Sequence, residues 1–216
     1  MRDLLLVFLK WPESGRVKTR LAKNIGVDEA ADIYRILVQR IIQRISPIYH
    51  QLEGICWVFD PIEKELEVRH WIKKELKDLD FTDLKRHLFW SQSDGDLGDR
   101  IQMTFKKAFS LDYERVVAIG TDCIGLNGRT IEHALMSLSS ERSIVFGPSF
   151  DGGYYLVGMR SHLGLSVFSN ISWSTSRVLQ QSLDQAVSLG LEYTLLETFN
   201  DVDTLEDWNS IRHLFE

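Results

Sequence analysis

The sequence predicts an α/β fold with a mainly parallel central sheet covered on both sides by helices. Three observations carry this. Short apolar runs alternate along the chain with longer stretches of helical period. Leu4–Leu9 and Val116–Ile119 are apolar throughout, as in strands buried on both faces. No repeat, low-complexity segment or linker rich in Pro, Gly or Ser interrupts the 216 residues, so a single domain over 1–216 is expected.

The first strand is Leu4–Leu9, ended by the charge on Lys10. A helix follows over Asp28–Ile45, with Ile33, Leu37, Ile41 and Ile45 on one face, Asp28 as its cap and Pro47 just past its end. Gly54–Phe59 is the second strand. Asp60-Pro61 then offers an N-cap and a first-turn proline to a charged helix reaching about Lys77. A short strand is placed at His87–Trp90 and a helix at Gly98–Phe109. After the strand Val116–Ile119, Gly128–Leu138 is helical through Ile131, Leu135 and Leu138. Ile144–Gly147 and Tyr154–Met159 read as two strands joined by a tight turn. Ser176–Leu189 is a helix stopped by Gly190, Leu191–Leu196 a last strand, and Thr204–Phe215 a last helix.

Composition excludes several classes. Apolar residues make up 44% and charged residues 26%, so the chain can bury a core without staples. The two cysteines, Cys56 and Cys123, are too few and too far apart for a disulfide framework or a CxxC site, and a reducing, cytosolic setting is expected. The six histidines show no metal-ligand spacing, which argues against zinc. The N-terminal apolar run is six residues long, too short to cross a bilayer. Net charge is −6, yet residues 1–50 hold nine Lys/Arg against five Asp/Glu, so the remainder carries −10. An acidic chain with one basic cluster is poorly suited to duplex nucleic acid and suited to one small anionic ligand.

Candidate chemistry sits where strands end. Asp122 closes the buried run Val116–Ile119, and open α/β sheets bind ligands at the carboxyl edge of their strands. It is a turn cap or a ligand for Mg²⁺ or Mn²⁺, which bind one or two carboxylates plus substrate phosphates. Its neighbour Cys123 reads as a small buried thiol, since nothing nearby in sequence would lower its pKa. After the first strand, residues 10–20 gather Lys10, Arg16, Lys18 and Arg20, with Gly15 to turn the backbone. Such a loop is a solvated basic surface or a cradle for a diphosphate. Neither the Walker A spacing nor the Gly-x-Gly-x-x-Gly fingerprint is present.

In the stretch 92–100, Asp96, Gly98 and Arg100 form a helix-capping turn or a loop reading the base or ribose of a nucleotide. The EF-hand spacing fails, because the twelfth position from Asp94 is Phe105. Asp151-Gly152-Gly153-Tyr154 is a hairpin turn or an acceptor-facing loop. In the second case Asp151 serves as general base or orients the acceptor. Trp173 is core or pocket wall, and Ser174 or Thr175 is the expected N-cap of the helix after it. Near the C-terminus, Asp203 with Glu206 is read as a variant capping box, which leaves Asp201 as a possible second metal ligand.

In this order the motifs resemble a bacterial family described as nucleotide-diphospho-sugar transferase-like, or as family glycosyltransferases, some associated with arsenosugar biosynthesis. The resemblance rests on Lys10-x-Pro12-x-x-Gly15-x-x-Lys18-Thr19-Arg20-Leu21, Gly95-Asp96-Leu97-Gly98-x-Arg100, Gly120-Thr121-Asp122-Cys123, Gly147-Pro148-x-x-Asp151-Gly152-Gly153-Tyr154-Tyr155, Trp173-Ser174-Thr175 and Asp201-Val202-Asp203-Thr204. Ile124 departs from it, standing where the family usually has proline. The resemblance implies the GT-A fold, a three-layer α/β/α sandwich with a metal-bridged diphosphate. It implies phosphate contacts from Lys10, Lys18 and Arg20, the metal on Asp122, and Asp151 facing the acceptor, with Gly152, Gly153, Tyr154 and Trp173 on that side. The basic loop is also similar to one in phospholactate guanylyltransferases.

The leading expectation is therefore a glycosyltransferase dependent on Mg²⁺ or Mn²⁺, using a nucleotide sugar and a small-molecule acceptor. The alternative is a nucleotidyltransferase that releases pyrophosphate from an NTP. A third reading is a non-catalytic nucleotide-binding module.

Overall fold

The computed structural model describes residues 1–79 and 84–215. In chain order the elements are β1 (Asp3–Lys10), α1 (Thr19–Ile25), α2 (Val27–Ile45), β2 (Gly54–Asp60), α3 (Glu65–Asp78), β3 (His87–Ser91), α4 (Leu97–Ser110), β4 (Arg115–Ile119), α5 (Gly128–Ser137), β5 (Ser143–Pro148), β6 (Tyr154–Met159), α6 (Val178–Ser188), β7 (Glu192–Leu195) and α7 (Leu205–Ile211). The strands form one sheet in the order β3-β2-β1-β4-β6-β5-β7. Only β6 runs against the rest: its pairings with β4 and β5 are antiparallel and the other four are parallel. The carboxyl ends of six strands and the start of β6 therefore share one edge.

Side-chain alternation divides the core in two. Leu5, Val7, Trp57, Phe59 and Val117 face one layer with Val38, Ile41 and Ile42 of α2 and Ile131 of α5. Leu4, Leu6, Cys56, Val58 and Val116 face the other, with Phe105 of α4 and Ala186 of α6. This is the three-layer arrangement that apolar strands require, since both faces must be covered.

A third, smaller cluster matters most for the site. Leu21, Ala30, Ile33 and Leu37 bury Val202, packed together with Leu205 and Trp208. Burial of a valine contributes about 1.5–3 kcal/mol. It pins the C-terminal segment against α1 and α2, with Asp201 and Asp203 on either side of the anchor.

Several local expectations are corrected. The chain turns helical at α1, directly after Lys18, in a stretch read as basic loop. Gly26, not Asp28, caps α2. Asp28 Oδ1 instead accepts a 2.6 Å bond from Ser14 Oγ. Between the cis Asp60–Pro61 bond and α3 lies a 3₁₀ turn, Ile62–Lys64, so Asp60 caps nothing. The N-cap of α6 is Arg177, two residues beyond Thr175, and neither Ser174 nor Thr175 caps the helix. The capping box of α7 is Thr204 with Asp207, not Asp203 with Glu206. The hydroxyl of Thr204 reaches Asp207 N at 3.2 Å and displaces Asp203 from the cap.

Candidate active site

The carboxyl edge of the sheet carries a cleft of about 810 Å³. Six segments wall it, and each is fixed by bonds that the local sequence supplies.

The first segment leaves β1. Lys10 N donates to Tyr34 Oη at 2.9 Å, and the same hydroxyl lies 3.2 Å from Thr121 Oγ1. That phenol ties the first strand to the fourth. Burial, then the charge of Asp122, pushes its pKa up to about 12. Gly15 turns the loop at φ +81°, and Val17 is buried beneath it. Lys18 then takes a left-handed conformation, φ 48° and ψ 44°, costly for a non-glycine residue by about 1 kcal/mol or more.

The side chain of Lys18 accounts for that conformation. It is 3% exposed, and Nζ lies 3.0 Å from Asp122 Oδ1 and 3.0 Å from Asp203 Oδ1. Burial alone would depress the ammonium. Asp122 and then Asp203 outweigh it and hold Lys18 above the usual lysine range. Arg20 adds a longer contact to Asp203, 3.5 Å.

The carboxylates come from two distant segments. Asp122 follows β4, and its carbonyl accepts from Val202 N at 3.0 Å. That one backbone bond stitches residues 201–203 to the end of β4. Phe199 N donates to the Pro148 carbonyl and Phe150 N to the Phe199 carbonyl, each at 3.1 Å, which fixes the same segment to the end of β5. Ser149 Oγ donates to Asp201 Oδ2 at 3.0 Å. Burial and then the negative charge of Asp122 push Asp201 up to about 7, with Asp151 adding to the rise, while the Ser149 bond and Lys18 oppose it. Cys123 is buried, and its thiol rises to about 12, so it is not a nucleophile.

The remaining segments close the cleft. Asp96 caps α4 and is engaged by Asp99: Asp99 N donates to Asp96 Oδ1 at 2.9 Å, and Asp96 N to Asp99 Oδ2 at 3.1 Å. Arg100 is steered by the Gly95 carbonyl (3.2 Å) and by Gln92 Oε1 (3.3 Å). In the β5–β6 turn, Gly153 N donates to Asp151 Oδ1 at 2.8 Å. Trp173 lies edge-on to Tyr154, ring centroids 6.3 Å apart.

Lys10, Lys18, Arg20, Asp96, Arg100, Asp122, Asp151, Gly153, Tyr154, Trp173 and Asp201 all line the cleft. Gly15, Gly98 and Gly152 do not. They shape it from behind: a Cβ on Gly98 would lie 2.5 Å from Trp173 Nε1, and one on Gly152 would lie 2.1 Å from the Ser176 carbonyl oxygen. Sequence reasoning missed Asp203 as a wall residue, and with it Tyr34. The Asp-x-Asp spacing around an apolar residue was a usable signal for Asp203. Nothing in sequence marks a tyrosine in mid-helix.

Among the described residues, no group of three or more His, Cys, Asp or Glu side chains could by itself hold a metal ion. Asp122 and Asp201 are nonetheless close enough for the charge on one to raise the pKa of the other. A hard divalent cation that takes one or two carboxylates and completes its shell with phosphate oxygens and water suits such a pair.

Comparison with known proteins agrees with this architecture. The family model described as "Uncharacterized protein conserved in bacteria" (DUF2064) matches residues 62–175. The solved structure of a candidate nucleotide-diphospho-sugar transferase from Desulfovibrio desulfuricans G20 is 32% identical, with a TM-score of 0.84, over 100% of this chain and 89% of that one. The chain belongs to this bacterial nucleotide-diphospho-sugar transferase-like family.

More distant matches share the fold alone. A 4-diphosphocytidyl-2C-methyl-D-erythritol synthase from Anaerococcus prevotii is 9% identical, with a TM-score of 0.63, over 99% of this chain and 96% of that one. The inositol-1-phosphate CTP transferase of T. maritima is 17% identical, with a TM-score of 0.56, over 99% and 94%. No curated protein matches the chain in sequence. Among the described residues, no helix is long and apolar enough to cross a membrane.

Proposed function

We propose that this family member is a divalent-metal-dependent glycosyltransferase that uses a nucleotide-sugar donor and a small-molecule acceptor. One observation carries the reading: the cations of residues 10–20 and three aspartates from β4 and the C-terminal segment face each other inside one cleft. A nucleoside diphosphate needs that combination, positive groups for its terminal oxygens and carboxylates for a bridging cation.

Mg²⁺ or Mn²⁺, when bound by Asp122 and Asp201, supplies neutralisation of the charge that grows on the departing diphosphate. The other steps belong to the chain. Lys10, Arg16 and Arg20 bind the phosphates from the β1 side and add electrostatic stabilisation of the leaving group. Lys18, held off solvent, sits between Asp122 and Asp203 and holds the two side chains in place while the cleft is empty. Arg100 and Asp96, at the start of α4, are placed for the base or ribose. Asp151, fixed by the Gly153 amide, orients the acceptor hydroxyl and takes its proton as the bond to the sugar forms.

A second reading is nucleotidyl transfer, in which an acceptor phosphate attacks an NTP. It is favoured by the number of cations on the β1 side, because a triphosphate needs more positive charge than a diphosphate. Product analysis separates the two. Incubation with sugar nucleotides and Mn²⁺ should release nucleoside diphosphate, slowly to water and faster with acceptor. Pyrophosphate released from an NTP, with no nucleoside diphosphate from any sugar nucleotide, would establish the second reading instead.

A further inference from the structure

The cleft is electrically divided, and the division follows the sheet. The cations that line it are Lys10, Arg16, Lys18, Arg20 and Arg100. All five come from the β1–α1 segment or the start of α4, beyond the ends of β1 and β3. The wall without cations is built by the β5–β6 turn and residues 173–178, of which Trp173 also packs against Gly98 at the start of α4. Its lining groups are Asp151, the rings of Tyr154 and Trp173, the hydroxyl-bearing Ser174–Ser176, and Val178. Among the described residues, no Lys or Arg lines that wall. Arg177 is the nearest in sequence, and it is exposed, with its backbone committed to the cap of α6.

A ligand spanning the cleft must match both sides. One end is anionic and lies among the five cations. The other lies against a carboxylate, an aromatic pair and hydroxyl groups. A phosphate ester there would meet Asp151 with no basic side chain on that wall to offset it. Like-charge juxtaposition of this kind is costly. A hydroxyl or amine can donate to Asp151, and the carbon face of a ring can lie on Trp173. Resting on the donor placement proposed above, we infer that the acceptor is a non-phosphorylated, hydroxyl-bearing small molecule, neutral or cationic, and not a phosphate ester. This also favours glycosyl transfer over nucleotidyl transfer to a phosphorylated acceptor.

The test pairs compounds that differ only in a phosphate: glycerol with glycerol 3-phosphate, and methyl glucoside with glucose 6-phosphate. Binding is followed by saturation-transfer NMR on the wild-type protein, with and without UDP or CDP. With the cationic side filled by nucleotide, the neutral member of each pair should bind at least about tenfold more tightly, and Thr175→Lys should narrow that gap by placing a cation on the wall. Equal or tighter binding of the phosphate esters to protein already saturated with nucleotide, and their displacement in Arg177→Ala, would overturn the inference. Failure of the donor reading looks different: no nucleoside diphosphate raises the melting temperature, and the paired preference is then read with inorganic pyrophosphate filling the cationic side.

Discussion

At the scale of single residues the site is organised around Lys18. Its ammonium is buried between Asp122 and Asp203, whose side chains are 41% and 40% exposed. Water screens those carboxylates, so losing their partner costs less than in a closed core. Lys18→Met should lower stability by about 1–3 kcal/mol, read from the urea midpoint, and should weaken nucleotide binding as well. An unchanged midpoint would mean the ion pair is electrostatically idle.

Asp201 gives a pH prediction. Its carboxyl titrates near 3.8 in the unfolded chain and is raised to about 7 in the fold, so between these values the native state binds the extra proton. The stability this contributes is complete below pH about 4 and is lost as pH rises through about 7. Without divalent cations, Asp201→Asn should therefore match the wild type near pH 4 and exceed its melting temperature at pH 8. Parallel pH profiles would contradict the burial of Asp201. Residue types at this scale were legible in sequence: the basic loop, Asp122 and Asp201 were all visible. The partners of Lys18 were not, because they lie 104 and 185 residues further along the chain.

At the scale of elements, glycines set how closely the loops approach. Gly152 has φ +89°, and a Cβ there would also meet the Ser176 carbonyl oxygen at 2.1 Å. Both effects point the same way, so Gly152→Ala should cost about 3 kcal/mol or more, measured by chemical denaturation. Gly98 differs. Its φ is helical, so alanine gains up to about 1 kcal/mol of helix propensity, set against the push on Trp173. Gly98→Ala should leave the melting temperature within a few degrees while shifting the near-UV circular dichroism of the tryptophan. A loss as large as that of Gly152→Ala would show that the indole cannot yield. The main helices and strands were readable from apolar period alone. Their ends were not, because caps depend on which of several polar side chains reaches the free amides. At α7, Thr204 prevails over Asp203, and that frees Asp203 for Lys18.

For the whole molecule, local and total charge make opposite predictions. The chain carries −6. If that total governed binding, added salt would screen repulsion and strengthen nucleoside diphosphate binding. The five cations on one wall predict the reverse: Kd should rise roughly three- to tenfold between about 50 mM and about 500 mM salt. Titration calorimetry at the two ionic strengths decides between them. By itself the sequence determined the α/β layering, the edge at which ligands meet the sheet, and the residue types available there, because apolar period and strand ends are local properties. Only the tertiary structure decided that residues 201–203 lie against β4, that Lys18 sits between Asp122 and Asp203, and that all the cations hang from one half of the sheet. Those facts follow from strand order and from the burial of Val202, and both are set by contacts between residues far apart in the chain.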